Sequence, residues 1–353
     1  MEKFAFRPPQ RIGGGIDSGG QAPYHRAIMR VLSGIQPSGK LHVGNYFGAI
    51  RQHLAFAQKG QECFYFIANY HALTSLSDKK ELEEMTLHVA MAYLALGLDT
   101  AKTTFFCQSD VPQVTELCWI LNCQCPVSMM EKGTSYKDKV SKGAAASMGL
   151  LDYPVLQAAD ILIYNSNLVP VGADQKQHVE MTRDLAGRFN RAYGQDVLVL
   201  PEPYIVPEVA VVPGIDGQKM SKSYDNTIEI MASDKETSKR CAQIVTDSTP
   251  LESPKDPDRC HVYALLKLFA APAEAQEIAG KYRAGGYGYG QAKKRLAELI
   301  NEHFAAARQR YADIRKRPDD VRDVLRDGGR RARAVAEATL QRVRDVCGIL
   351  TNP

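Results

Sequence analysis

The sequence predicts an α/β fold: a doubly wound parallel sheet with a C-terminal all-helical domain. Two observations carry that expectation. Over roughly the first two hundred residues, short apolar runs alternate with amphipathic helical stretches, the pattern of a parallel sheet covered by helices. Beyond about Asn226 the strand signals fade and helical periodicity takes over. With 353 residues, 44% of them hydrophobic and 24% charged, the chain has room for a large core and two domains.

The elements follow in order. Residues 1–30 are rich in Gly and Pro and lack the apolar core of a signal peptide, so a flexible N-terminal extension is expected. Arg30-Val31-Leu32-Ser33 reads as a short buried strand and Gly34 to Gly44 as a glycine-punctuated loop. Asn45 opens a helical stretch with Phe47, Ile50, Leu54 and Ala57 at helical spacing. Cys63 to Ala68 is a second strand. Lys79 to Gly97 is a helix with Leu82, Met85, Val89, Ala92 and Leu96 on one face and Gly97 where a C-cap belongs. Thr103 to Gln108 is a third strand, Asp152 to Tyr164 a further apolar element, and Leu168 to Gly172 leads into a loop before a helix over His178 to Phe189. Together these make a Rossmann-like catalytic domain over 31–225. In 226–353, helices are expected at Val262 to Phe269, Gln291 to Tyr311 and Arg331 to Cys347, with Gly285 to Gly290 as a turn-rich connector. The last helix is placed so that it can pack back on the first domain.

Charge and cysteine usage narrow the function classes. The net charge is +4, but Lys281 to Asp345 holds 17 Lys/Arg against 9 Asp/Glu. A basic C-terminal third suggests a polyanion docking there, the alternative being the solvated faces of surface helices. No apolar run approaches the roughly 18 residues of a membrane span. The eight cysteines contain no Cys-x2-Cys pair, and Cys118, Cys123 and Cys125 are poorly spaced for zinc. Free thiols in a reducing cytoplasm are expected, and no metal site of the protein's own.

Two motifs point to phosphate chemistry. Ser33 to Tyr46 (SGIQPSGKLHVGNY) runs from a strand through a Gly/Pro/Ser loop into a helix start, where free N–H groups and the helix dipole favour phosphate. His42 and Asn45 add uncharged donors. It is not a P-loop. Lys219-Met220-Ser221-Lys222-Ser223 sets two cations and two hydroxyls after Pro213-Gly214 and Asp216-Gly217, a composition able to close over a triphosphate and neutralise leaving pyrophosphate. Asp160 is a lone carboxylate among Ala158, Ala159, Ile161 and Leu162. Such burial costs free energy without a partner, so it is either a buried acceptor for a ligand or a structural cap or ion pair.

His42-Val43-Gly44-Asn45 and Lys219 to Ser223 resemble the HIGH and KMSKS signatures of class I aminoacyl-tRNA synthetases. Asp152 to Asn165 (DYPVLQAADILIYN) and Val169 to Asn190 are similar to the tryptophanyl-tRNA synthetase family. The resemblance runs from about Leu32 to Thr227 and weakens beyond. It implies ATP-dependent activation of L-tryptophan and transfer to tRNA(Trp), with Mg2+, in a cytoplasmic homodimer. It assigns catalysis to Lys219, Lys222 and Lys139. It assigns ATP to Gln36, Pro37, Ser38, His42, Gly44, Asn45, Gly172, Ala173, Asp174, Val211 and Lys219 to Ser223 (including Met220 and Ser221). Tryptophan falls to Asp160, Gln157, His71 and Gln175, with Asp160 taking the indole N–H; a core role is the alternative for His71. Arg315, Lys316, Arg317, Arg330, Arg331 and Arg333 would hold tRNA phosphates. Three departures from the family stand out: His42-Val43 for Thr-Ile, Ala173 for Glu, and Gln157 for the Met of many bacterial members. Gln157 is expected either to hydrogen-bond the substrate or to point away. A tyrosine-specific relative and a non-tRNA adenylyl-transfer paralogue are the alternatives.

Overall fold

A computed structural model describes residues 29–350 except 132–135, 137–140, 142, 144–145, 173–174 and 206–211. Residues 1–28 of the expected extension, and Lys139, Ala173, Asp174 and Val211, lie outside the described residues. The chain runs β1 (Arg30–Ile35), α1 (Val43–Asn45), a π-helical turn (Tyr46–Ile50), α2 (Arg51–Gln58), β2 (Glu62–Ile67), α3 (Asn69–Ala72), α4 (Lys79–Ala95) and β3 (Thr103–Cys107). It continues through α5 (Gln113–Asn122), α6 (Val127–Glu131), α7 (Met148–Ile163), β4 (Leu168–Val171), α8 (Lys176–Tyr193) and β5 (Glu202–Ile205). The remainder is helical: α9 (Asp234–Ala242), α10 (His261–Phe269), α11 (Pro272–Ala284), α12 (Tyr289–Ile314) and α13 (Pro318–Cys347).

The strands form one parallel sheet in the order β3-β2-β1-β4-β5. The chain leaves β1 in one direction for β2 and β3 and returns on the other side as β4 and β5. That reversal opens a crevice past the carboxyl ends of β1 and β4, where open α/β sheets bind ligands. The α/β expectation holds.

Side-chain alternation along the strands splits the interior in two. Cys63, Tyr65 and Ile67 of β2 and Phe105 of β3 face one cluster, which continues through Ile244, Leu265, Leu296 and Ile300 of the helical region. Phe64 and Phe66 of β2 and Phe106 of β3 face the other, with Val155, Leu162, Leu185 and Phe189. The last helix joins both: Val321 and Leu325 sit in the first cluster and Ala336 and Leu340 in the second.

α13 crosses β3 at Gly328–Gly329. A Cβ on Gly328 would stand 1.8 Å from the Phe105 carbonyl oxygen, so only glycine admits this contact. Arg331 donates to the carbonyls of Thr100 (2.9 Å) and Thr103 (3.1 Å), and Arg333 to that of Asp110. These two arginines, read from the sequence as phosphate ligands, instead fasten the helix over an outermost strand that would otherwise offer free backbone groups. The same glycines account for the difference in length: α13 begins at Pro318 rather than Arg331, because Asp327-Gly328-Gly329 reads locally as a turn and is tolerated here for packing. β1 runs two residues further than read, through Ile35, and α1 starts at Val43 rather than Asn45. β5 went unrecognised, since Pro203 within it disguises a strand.

Gly328→Ala is expected to cost about 3 kcal/mol or more in urea denaturation, as forced overpacking against backbone does. Gly280→Ala, on an exposed turn of α11 with nothing within 4 Å of the added Cβ, is expected to gain about 0.5–1 kcal/mol.

Candidate active site

Every strand that borders the crevice delivers polar groups to it at its carboxyl end. β1 leads into Gln36 and Ser38, β2 into His71 on α3, β3 into Gln108, and β4 into Gly172. They surround a cavity of about 440 Å³ lined by Gln36, Phe66, His71, Tyr153, Gln157, Asp160, Gly172 and Gln175 among others. Of the residues assigned to tryptophan, all four line this cavity.

Asp160 lies at its base, 2% exposed, on the fourth turn of α7. His71 Nε2 meets Oδ2 at 2.9 Å. Gln108 Nε2 donates to Oδ1 at 2.9 Å and Oδ2 at 2.8 Å. Burial raises the pKa of the carboxyl, and the bonds from His71 and Gln108 oppose that rise. The carboxylate still has acceptor capacity, since two donors occupy it and an ionised carboxylate offers about four lone-pair sites. Gln157 borders the cavity half-exposed.

The two phosphate motifs meet on the loop that continues from the cavity-lining Gln36. His42 caps α1: its Nδ1 accepts the Asn45 N–H at 3.3 Å, and Asn45 Oδ1 accepts the His42 N–H at 3.1 Å. The side chains expected to donate to phosphate thus bind each other's backbone and shape the turn. Burial, and then the Lys222 charge, lowers the His42 pKa to about 4, so the ring is neutral. Its proton sits on Nε2, because Nδ1 accepts. The Gly44 N–H points at Met220 Sδ, 3.3 Å away, and a Cβ on Gly44 would press on His42 Nδ1 at 3.0 Å. Lys222 Nζ donates to the carbonyls of Ser38 and Gly39. Val43 N–H donates to Ile228 O at 2.9 Å and Ile230 N–H to Leu41 O at 3.1 Å, so a short antiparallel pairing ties the two motifs together across nearly two hundred residues. Burial lowers the Lys222 pKa to about 8. Lys219 and Ser223 are exposed, and neither side chain is drawn to the β1 loop; Pro37 is buried beneath it.

A family model described as tRNA synthetases class I (W and Y) matches residues 25–305. A tryptophan–tRNA ligase of Fusobacterium nucleatum is 50% identical over 325 residues, 92% of this chain and 99% of the relative. One from Rhodopirellula baltica is 50% identical over 91% of this chain and 100% of its own. A crystal structure of the Campylobacter jejuni tryptophanyl-tRNA synthetase complexed with ADP and tryptophan superposes with a TM-score of 0.86 at 48% identity, covering 91% of this chain and 100% of that one. The chain belongs to the tryptophan–tRNA ligase family. It is therefore an ATP-dependent aminoacyl-tRNA synthetase, and the tyrosine-specific and tRNA-independent alternatives fall away.

Three residues of this tryptophan–tRNA ligase site escaped the sequence reading. Gln108 is the first residue past β3, and only the strand order brings it to Asp160. Tyr153 lines the cavity one turn before Gln157, and its hydroxyl lies 3.2 Å from His178 Nε2. Asn226, 1% exposed, holds the Lys219–Ser223 loop: Oδ1 accepts the Ser221 N–H at 2.7 Å, and Nδ2 donates to Asp216 Oδ1 at 2.8 Å and Lys219 O at 3.1 Å. No sequence pattern marks it. Asn226→Ala is expected to cost about 2–3 kcal/mol, leaving buried groups unpaired. Trypsin cleavage after Lys219 and Lys222 is expected to quicken by about tenfold or more; an unchanged rate would deny Asn226 its role in the loop.

Proposed function

We propose that the cavity takes L-tryptophan with its indole N–H on Asp160, and that ATP lies across the Gln36–Asn45 and Lys219–Ser223 loops. The chain then makes tryptophanyl-adenylate and transfers the aminoacyl group to tRNA(Trp). The observation that carries this reading is the placement of a buried, unsaturated acceptor in a cavity that Gln36 also lines, two residues before the Ser38 carbonyl at which the two phosphate motifs meet. A buried acceptor left unpaired by tyrosine or phenylalanine rejects them by roughly 10⁴-fold. The Gln157 amide has no partner among the described residues while facing the same space, which supports its contact with substrate rather than a packing role.

The tryptophan carboxylate attacks the α-phosphorus in line, forming the acyl–phosphate bond as the bond to pyrophosphate breaks. Positioning and charge stabilisation do most of the work. Lys222 exchanges the Ser38 and Gly39 carbonyls for the departing pyrophosphate, aided by the exposed Lys219 and by Lys139. Gly172, Ala173, Asp174 and Val211 complete the nucleotide site, with Gln175 between it and the amino acid. Magnesium enters with ATP: among the described residues no three His, Cys, Asp or Glu side chains cluster to hold a metal, and the ion suits phosphate oxygens. When bound it neutralises phosphate charge. The terminal ribose 2′-hydroxyl of the tRNA then displaces AMP from the adenylate.

Two further parts of the reading have lesser support. Exposed apolar side chains at Trp119 (70%) and Met148 (74%), with Leu73 and Val127, support a homodimer that covers them. Eight free thiols fit the reducing cytoplasm, and no described helix is long and apolar enough to cross a membrane.

ATP–pyrophosphate exchange tests the assignment: it is expected to depend on tryptophan, and comparable tyrosine-dependent exchange would overturn it. Lys222→Ala is expected to slow exchange about a hundredfold with the KM for tryptophan within about threefold. Lys222 is charged below its pKa of about 8 and loses its proton above it. The KM for ATP is therefore expected to climb as pH rises through about 8, and Lys222→Arg, charged throughout, is expected to remove that climb.

A further inference from the structure

Gln108 is 1% exposed and bridges the groups that determine the state of Asp160. Its Oε1 accepts the N–H of Tyr70 at 3.0 Å and of His71 at 3.4 Å. That fixes which end of the amide is which, so Nε2 faces Asp160 and donates to both carboxylate oxygens. Beside it, Asn69 Nδ2 donates to Ser109 Oγ at 2.7 Å and Asn69 Oδ1 accepts the Ser109 N–H at 3.1 Å. The ends of β2 and β3 are thereby locked, and with them the distance from the amide to the carboxylate.

We propose that Gln108 is a positioning residue that holds Asp160 oriented and acceptor-only, and so sets the selectivity of the site for a ring N–H. The inference rests on the reading of Asp160 as the indole acceptor. The chemistry is specific to an amide in this orientation. A protonated carboxyl would turn a donor toward the indole N–H where an acceptor is needed, and burial alone drives Asp160 toward protonation. A neutral donor opposes that without adding a charge to the pocket. The titratable groups that face Asp160 are His71 from α3, Cys118 from α5 and Tyr164 just past α7. Burial pushes the Cys118 thiol up to about 12 and the Tyr164 phenol well above its ordinary value. Neither ionises near neutral pH, which leaves His71 as the other titratable partner.

Two variants divide the amide. Gln108→Glu retains an oxygen for the Tyr70 and His71 N–H groups and changes only the atom facing Asp160. Gln108→Met fills the space and bonds to neither side. In Gln108→Glu the facing carboxyls share one proton; the pair serves while it keeps that proton and fails as pH rises. In Gln108→Met, Asp160 loses a donor and its pKa rises further, so it is protonated at low pH and recovers as pH rises. The KM for tryptophan, measured by ATP–pyrophosphate exchange from about pH 6 to about pH 9, is expected to rise with pH in the first variant and fall in the second. Each is expected to lie about tenfold above wild type at its unfavourable end. The tryptophan analogue with ring sulfur in place of N–H is expected to shift by less than about twofold. Both variants keep His71, so a contribution common to the two cannot produce slopes of opposite sign. Equal losses for tryptophan and the sulfur analogue, or no pH slope, overturn the proposal and leave Gln108 a packing residue. Asp160→Asn separates the two levels. If it leaves the preference for tryptophan over the sulfur analogue intact, the reading of Asp160 falls and takes the proposal with it. If it abolishes that preference while both Gln108 variants keep it, only the role of Gln108 falls.

Discussion

A single carboxylate, sunk among apolar side chains at the end of a parallel sheet, sets the terms for the rest of this molecule. In the proposed reading Asp160 discriminates because it is buried, since an acceptor open to water would be satisfied whatever amino acid arrived. Burial in turn demands donors that do not fill it. These come from two strand ends, His71 past β2 and Gln108 past β3. Both reach the same point because β3 pairs with β2 in register from Cys63–Thr103 to Ile67–Cys107. A slip of one residue would turn Gln108 to the opposite face. β3 lies at the end of the strand order, so the register of an outer strand needs support from outside the sheet. α13 supplies it through glycine contact and arginine–carbonyl bonds. In the proposed reading a helix far along the chain therefore contributes to amino-acid selection without approaching the amino acid.

The nucleotide half of the site follows a different logic. Its selectivity needs are modest and its charge is large, so it rests on backbone carbonyls, glycine approach and ammonium groups near the surface. Lys222 is bonded to two carbonyls, while partial desolvation weakens its hold on the proton. A polyphosphate in the same place would offer stronger, charged acceptors. Lys222 thus gains most when negative charge is greatest, as the leaving pyrophosphate separates. Asn226 and the pairing of Leu41–Val43 with Ile228–Ile230 keep the loop close enough for that exchange.

How much of this was legible from residues alone depended on whether the signal was local. The strands around Phe64 and Phe105, the helix over Lys79–Ala95 and both phosphate motifs announce themselves within a few residues. Asp160 was legible because a carboxylate in Ala-Ala-Asp-Ile-Leu contradicts its surroundings. Gln108 was not, because glutamine after a strand is unremarkable until the strand order brings it to Asp160. Asn226 has no local signature, since its partners at Gly214, Asp216 and Ser221 become visible only once the loop closes. Gly328–Gly329 misled outright, because glycine within a helix is a breaker by propensity and a necessity by contact. His42 and Asn45 were placed correctly in the chain, but their side chains turned out to shape the backbone of the turn.

The basic character of the C-terminal third also changes meaning in three dimensions. Arg331 and Arg333 bond to carbonyls of the catalytic body. Lys316, Arg317 and Arg330 each pair with an aspartate three residues away. Such exposed pairs are weak and exchange readily with other anions, so they do not withdraw those residues from a polyanion. The carbonyl-bound arginines are different: releasing them would loosen α13 from β3. Arg315, Lys316 and Arg317 follow one another at the α12–α13 junction, with Lys316 and Arg317 only weakly paired, and in the proposed reading tRNA docks there. Charge held in carbonyl brackets keeps β3 in place, while charge held in loose surface pairs remains able to receive phosphate. In this reading α13 serves amino-acid choice through its packed arginines, and the junction before it serves tRNA binding through its solvated ones.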